Sequence, residues 1–259
     1  MTSTIQTHNR KGERGNVLFL ILIAVALFAA LSYAVTQSTR SGGGDASKEK
    51  SLVSSASITQ YPASIKTATV RMIVSGGVAV ENLNFTKPAA FSNLIDPDVT
   101  TTGLTTANSV KNAVFHPKGG GATYTDGPSS VSSTGVAQAW VFNPRNAVRN
   151  VGTTATSGID QATVDIIAFL PNMNVGVCQK IHEQLGMPYS TASADLAANF
   201  PLITGVDIAT NMDYQTANNG IPASPGGALI TSTVLDGQPQ GCFRKAADNY
   251  VYYHVIVER

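Results

Sequence analysis

The chain has 259 residues, enough for one sizeable domain or for one domain with an anchor. Charged residues make up only 13% of it, about half of the usual ~25% of a soluble globular domain. With 17 basic against 16 acidic residues and no basic stripe interleaved with aromatics, the balance argues against a nucleic-acid partner.

Residues 16–35 read NVLFLILIAVALFAALSYAV, and no charge follows until Arg40. A helix of this length rises about 30 Å, the hydrocarbon thickness of a bilayer. Arg10, Lys11 and Arg14 precede it against the single acid Glu13. That positive excess keeps the N-terminus in the cytoplasm and sends the rest of the chain across the membrane. Three fates of the segment stay open. It resembles the signal of type IV prepilins, in which a short basic leader ends in Gly and the apolar run is retained. The leader would then be residues 1–15, cut between Gly15 and Asn16. Cleavage after Ala34, where Ser32-Tyr33-Ala34 supplies small residues, would make it a secretory signal. An uncut anchor is the third fate. Under the pilin resemblance, Val17, Leu18, Phe19, Leu20, Ile21, Leu22, Ile23, Val25, Leu27, Phe28 and Leu31 hold the helix in the membrane and in an assembly. The family usually carries Phe or Met where Asn16 stands and Glu where Leu20 stands, which points to a minor, pseudopilin-like subunit.

Residues 36–47 (TQSTRSGGGDAS) are polar, and Gly42-Gly43-Gly44 is expected to break the helix as a hinge. Ile58, Tyr61, Ile65, Ala68 and Met72 then recur at spacings of three and four, with Ile73 beside the last, which predicts an amphipathic helix. Pro62 should kink it or mark a turn boundary, and Gly76-Gly77 ends it. From residue 78 short apolar runs alternate with the turn signals PKGGG, TDGPSS, NPRN, ANNG, SPGG and DGQPQG. Strands are expected at 137–142, 164–170, 228–235 and 250–257. Trp140, within the first of these, is expected in the core. Residues 174–185 read as a short helix with Gly186 as its C-cap; Val177, Ile181 and Leu185 share a face, and Cys178 and His182 lie beside it.

The two cysteines, Cys178 and Cys242, suggest one bridge in an oxidising compartment and two buried thiols in the cytosol. A bridge would close a loop of about sixty residues, contributing on the order of 4 kcal/mol. The run Pro171-Asn172-Met173-Asn174-Val175-Gly176-Val177-Cys178, with Lys180-Ile181 and Leu185-Gly186, resembles a segment of type IVb-like pilins. There a short helix is tethered by a disulfide to the C-terminal region. The resemblance implies the pair Cys178–Cys242, with Gly241-Cys242-Phe243 ahead of the closing strand.

Other chemistry is thinly represented. Cys178 and His182 at i and i+4 could hold a metal, but two ligands do not make a zinc site. Lys118-Gly119-Gly120-Gly121 lacks the spacing of a phosphate loop and reads as a hairpin turn. Asp96-Pro97-Asp98 lacks calcium-loop spacing and reads as a solvated turn. No Gly-x-Ser-x-Gly elbow is present, and His8, His116, His182 and His254 are scattered.

The fold expected is α+β, a long N-terminal transmembrane helix packed on an antiparallel β-sheet head. Its parts are a leader (1–15), a membrane helix (16–35), a hinge with amphipathic helix (36–77) and an extracytoplasmic β-rich head (78–259). The resemblance implies a structural subunit of a type IV pilus or type II secretion pseudopilus in the bacterial inner membrane, with the head in the periplasm or in an extracellular filament. No catalytic residue, metal or cofactor is expected. The implied partners are inner-membrane lipid, a prepilin peptidase, other pilin-like subunits and an assembly platform. The alternative is a periplasmic binding or enzymatic domain on an uncleaved single-pass anchor.

Overall fold

The computed structural model describes residues 14–99, 109–153, 159–190, 192, 194–213 and 226–259, with 14–17 and 37–48 in backbone only. Nearly all of the expected leader and the ANNG turn therefore lie outside the described residues. The chain divides into two units that meet between Lys50 and Ser51. Helix α1, Arg14–Val74, supplies residues to both.

The break expected at Gly42-Gly43-Gly44 is absent, and Pro62 marks no turn boundary. The backbone is helical through Gly42-Gly43-Gly44, and Pro62 lies inside the helix. Glycine in a helix interior costs roughly 1 kcal/mol relative to alanine but does not forbid helical dihedrals. Pro62 withholds an N–H from the Ile58 carbonyl, yet both residues are buried, so packing holds the turn in shape. In the second unit Ile58, Ile65 and Met72 are buried, with Tyr61 and Ile73 packed against the same cluster. The expected stripe is thus the face of α1 that enters the head core. Ser55 and Thr69 share that buried face, and Ser55 returns its hydroxyl to the Leu52 carbonyl.

The sheet has five strands in the order β3-β1-β2-β5-β4: β1 Val141–Val148, β2 Asp165–Met173, β3 Leu229–Ile230, β4 Gln240–Ala246 and β5 Asn249–Val257. The β1–β2, β2–β5 and β4–β5 pairs are antiparallel, whereas β3 pairs with β1 in parallel. The sheet is therefore mixed rather than wholly antiparallel, because β3 returns to β1 after a long connection instead of a hairpin. Side chains alternate across it. Ile166, Ala168, Leu170, Tyr252 and Ile256 join the cluster that includes α1. Ile167, Phe169, Val251, Tyr253 and Val255 join a second cluster with Phe243, Val206, Ile230 and Leu235. Both faces are covered, which is why β2 and β5 read as almost unbroken apolar runs.

The strand boundaries differ from expectation most at β1. Asn143-Pro144-Arg145-Asn146, which reads as a turn, lies inside the strand at a register shift between Asn143 and Asn146. Pro144 has no N–H to give a ladder, and a bulge is where a strand tolerates that loss. The buried Asn143 and Asn146 side chains bond the Thr210 and Asp207 carbonyls, and Asn146 Oδ1 accepts from the Asp207 and Ala228 amides. The strand expected at 228–235 shrinks to Leu229–Ile230. Trp140 is buried just before β1. The described residues between 78 and 140 form 3-10 turns and isolated bridges rather than strands.

Helix α2, Val175–Gln184, matches the expected position: Asn174 caps it by accepting from the Gly176 amide, and Gly186 sits at φ 69° beyond its end. A four-residue helix, α3 (Leu196–Asn199), precedes the buried Phe200.

Candidate functional site

The first candidate is the apolar stretch of α1. Leu18–Thr36 has a mean hydropathy of 2.7 and none of it is buried. Leu18, Phe19, Leu20, Ile21, Leu22, Val25, Leu27, Phe28 and Leu31 are all exposed, and Ile23 is exposed as well at 40%. Gly15, Asn16 and Val17 are described only as helical backbone. Among the described residues this is one helical segment long and apolar enough to cross a membrane, a property that secretory signals share. An exposed apolar surface of this size marks a contact with lipid or protein or a signal segment.

The second candidate is the clip between α2 and β4. Cys178 and Cys242 form a disulfide across 64 positions of sequence, and both are fully buried. His182, one turn after Cys178, does not serve a metal. Its Nδ1–H donates to the Pro188 carbonyl at 2.9 Å, and its Nε2 accepts from the Cys242 amide at 2.9 Å. These partners dictate the neutral Nδ1–H tautomer. Burial drives the imidazole pKa below its ordinary value, and the ring stacks on Phe200 at 4.5 Å between centroids. The histidine therefore joins α2 to the backbone of β4 beside the sulfur bridge. Cys178 and His182, one turn apart on α2, both engage Cys242 of β4, a strand whose only signal in the sequence is that cysteine.

The remaining singled-out residues have partners within the head. Gly119-Gly120-Gly121 forms a turn, with the Gly119 and Gly121 amides donating to the His116 carbonyl. A Cβ on Gly119 or Gly120 would come within 2.2 or 2.4 Å of the Ala113 or Val114 carbonyl oxygen, so close approach, not phosphate binding, accounts for the glycines. Half-buried Asp96 pairs with Lys118, and exposed Asp98 with Lys111 and Lys118. His116 meets Phe91 edge-on. His254 lies on β5 against Tyr252 and Gln240, and burial, with a smaller effect from Lys66, lowers its pKa to about 4. Among the described residues no group of three or more His, Cys, Asp or Glu is placed to hold a metal ion.

Two features had no signal in the sequence. Asp165 opens β2 fully buried, accepting from the Val148 amide at 2.9 Å and the Arg259 amide at 3.1 Å. Burial outweighs those two bonds and raises its pKa to about 7. The other is a pair of adjoining clefts beside α1. One, of about 820 Å³, lies between Arg71–Ala79 and the turn carrying Lys111, Lys118 and Gly119. The second, of about 420 Å³, lies between Tyr61–Arg71 and residues 120–125. Arg71 lines both.

The chain matches no protein-family model, no curated protein and no solved structure.

Proposed function

We propose that this chain is a structural subunit, of the minor kind, in a type IV pilin-like assembly: a type IV pilus or a type II secretion pseudopilus. The observation that carries the reading is the wholly exposed apolar stretch Leu18–Thr36, on a helix whose later residues Ile58, Ile65 and Met72 are buried in a disulfide-closed head. Arg10, Lys11 and Arg14 before the stretch favour insertion with the head outside the cytoplasm, where the disulfide is stable.

In this reading a prepilin peptidase removes residues 1–15 at Gly15, and the helix waits in inner-membrane lipid. An assembly platform then moves it into a bundle of like helices. Apolar packing between subunits replaces lipid contact there, so residues such as Leu18, Leu22 and Phe28 hold the assembly together. Leu20 brings no carboxylate to that bundle, which suits a position where no neighbour's terminal amine needs neutralising.

The test is the mass and N-terminal sequence of the protein recovered from its native membrane. A chain beginning at Asn16 is the expected result. A chain beginning at Val35 would make it a secreted protein, and an intact Met1 or Thr2 would make it an anchored domain; either result removes the filament reading.

A further inference from the structure

We propose that the head binds a carboxylate-bearing ligand at Arg71, where the two clefts meet. The inference concerns the head alone and stands or falls separately from the filament reading. Arg71 carries five N–H donors in a planar fork. Its guanidinium reaches the Gly120 carbonyl, and no carboxylate pairs with it among the described residues. The neighbouring cations are matched: Lys66 with Glu258, Lys111 with Asp98, and Lys118 with Asp96. The bond to Gly120 thus orients the fork without neutralising it. A fork already held in place loses little freedom when it takes a carboxylate, and its geometry suits two parallel hydrogen bonds.

The smaller cleft completes the site. Arg71 stands at one end and Tyr61 at the other. Tyr61 Oη accepts from the Thr125 amide at 3.3 Å and also meets the Thr125 side chain in a hydrogen bond. Thr123 lines the same cleft with its backbone N–H and C=O unpartnered among the described residues. Ser64 and Thr67 donate their hydroxyl protons to the Tyr61 and Ala63 carbonyls, which leaves their oxygens free to accept. The positive charge therefore sits at the Arg71 end, with acceptors along the helix wall. No acidic side chain lines this cleft; Asp126 lines a separate, third cleft of about 240 Å³ on the other side of Tyr61. Such a site takes a carboxylate on a polar chain, either an acidic side chain of an extended polypeptide or a free dicarboxylic acid.

The chain's one tryptophan, Trp140, reports on the site, because its ring lies 5.3 Å from that of Tyr61. Full-length protein in a neutral detergent is titrated with tri-glutamate, with glutarate and with tri-glutamine as the uncharged control. Tryptophan emission is followed, and calorimetry covers any spectroscopically silent binding. The expected result is saturable binding of an acid, none of tri-glutamine, and weakening at about 0.5 M salt. Arg71→Gln should lower the affinity at least about tenfold and Arg71→Lys by less, since lysine keeps the charge but not the fork. Far-UV circular dichroism and a thiol assay confirm that each variant is folded with its disulfide intact. Tri-glutamate binding alone identifies the source as a polypeptide, and equal binding of glutarate shows that a free acid suffices. Absence of binding by both acids, equal binding of tri-glutamine, or Arg71→Gln and Arg71→Lys proteins that bind like the wild type would overturn the proposal.

Discussion

Three buried ionisable side chains pull the pH dependence of stability in opposite directions. His182 and His254 have folded-state pKa values below the ordinary ~6.5 of an exposed imidazole. As pH falls below about 6.5 the unfolded chain binds protons that the native chain refuses, so stability is lost on acidification. For His254 the loss continues down to about pH 4. Asp165 has the reverse sign: its native pKa of about 7 exceeds the ordinary ~3.9, so its contribution is present below about pH 4 and is lost as pH rises to 7. Between pH 7 and pH 4 the aspartate therefore offsets part of what the histidines remove. In Asp165→Asn the offset is gone, and the thermal midpoint should fall more steeply between pH 7 and pH 4.5 than in the wild type. His254→Gln should flatten the same profile. Midpoints measured by circular dichroism at a series of pH values check both signs. None of this was legible in the sequence, because Asp165 and His254 look like ordinary polar residues until the strands beside them are placed.

At the scale of elements, structure is most legible in the sequence where a periodic pattern meets a punctuating residue. Helix α2 lies within one residue of its expected ends because Asn174 and Gly186 mark them and Val177 and Ile181 set its buried face. Legibility fails where local chemistry points away from the structure. Asn143-Pro144-Arg145-Asn146 is a turn by composition, yet buried side-chain hydrogen bonds to distant backbone make it part of β1. Gly42-Gly43-Gly44 and Pro62 are helix breakers by propensity and sit within α1. Strand β4 was missed because glycine and charge interrupt it, and its order comes from β5, α2 and the disulfide. That bridge should matter in proportion to the loop it closes. Replacing Cys178 and Cys242 by Ala should lower stability by about 4 kcal/mol in the chain-entropy account. Chemical denaturation of the full chain in detergent checks the figure. Because both sulfurs are fully buried, a reductant should open the bridge only at denaturant concentrations where the head unfolds.

For the whole molecule, the dividing line between Lys50 and Ser51 separates two different solubility problems. The second unit contains both apolar clusters, the whole sheet and the disulfide. A chain beginning at Ser51 should therefore be monomeric in water without detergent and keep its disulfide, whereas the full chain should need detergent or lipid. Analytical ultracentrifugation of the two proteins distinguishes these outcomes, and aggregation of the shorter one would show that α1 before Ser51 shields part of the head.

Among the described residues, the border of the sheet at β4 is occupied and the other ends in the two-residue β3, which covers only part of β1. Along β4, Arg244 exchanges backbone hydrogen bonds with Pro201 and Ile203, and along β1 the positions are taken by β3, Asn211 and Met212. Among the described residues, no long row of free backbone groups is left for a neighbouring molecule to extend. Polymers joined by donated strands withstand hot detergent, because each junction is a continuation of a sheet. The described borders of this sheet offer little room for such a junction. Any filament containing it would be joined through α1 and side-chain surfaces, and should come apart in mild detergent while every head in it remains folded.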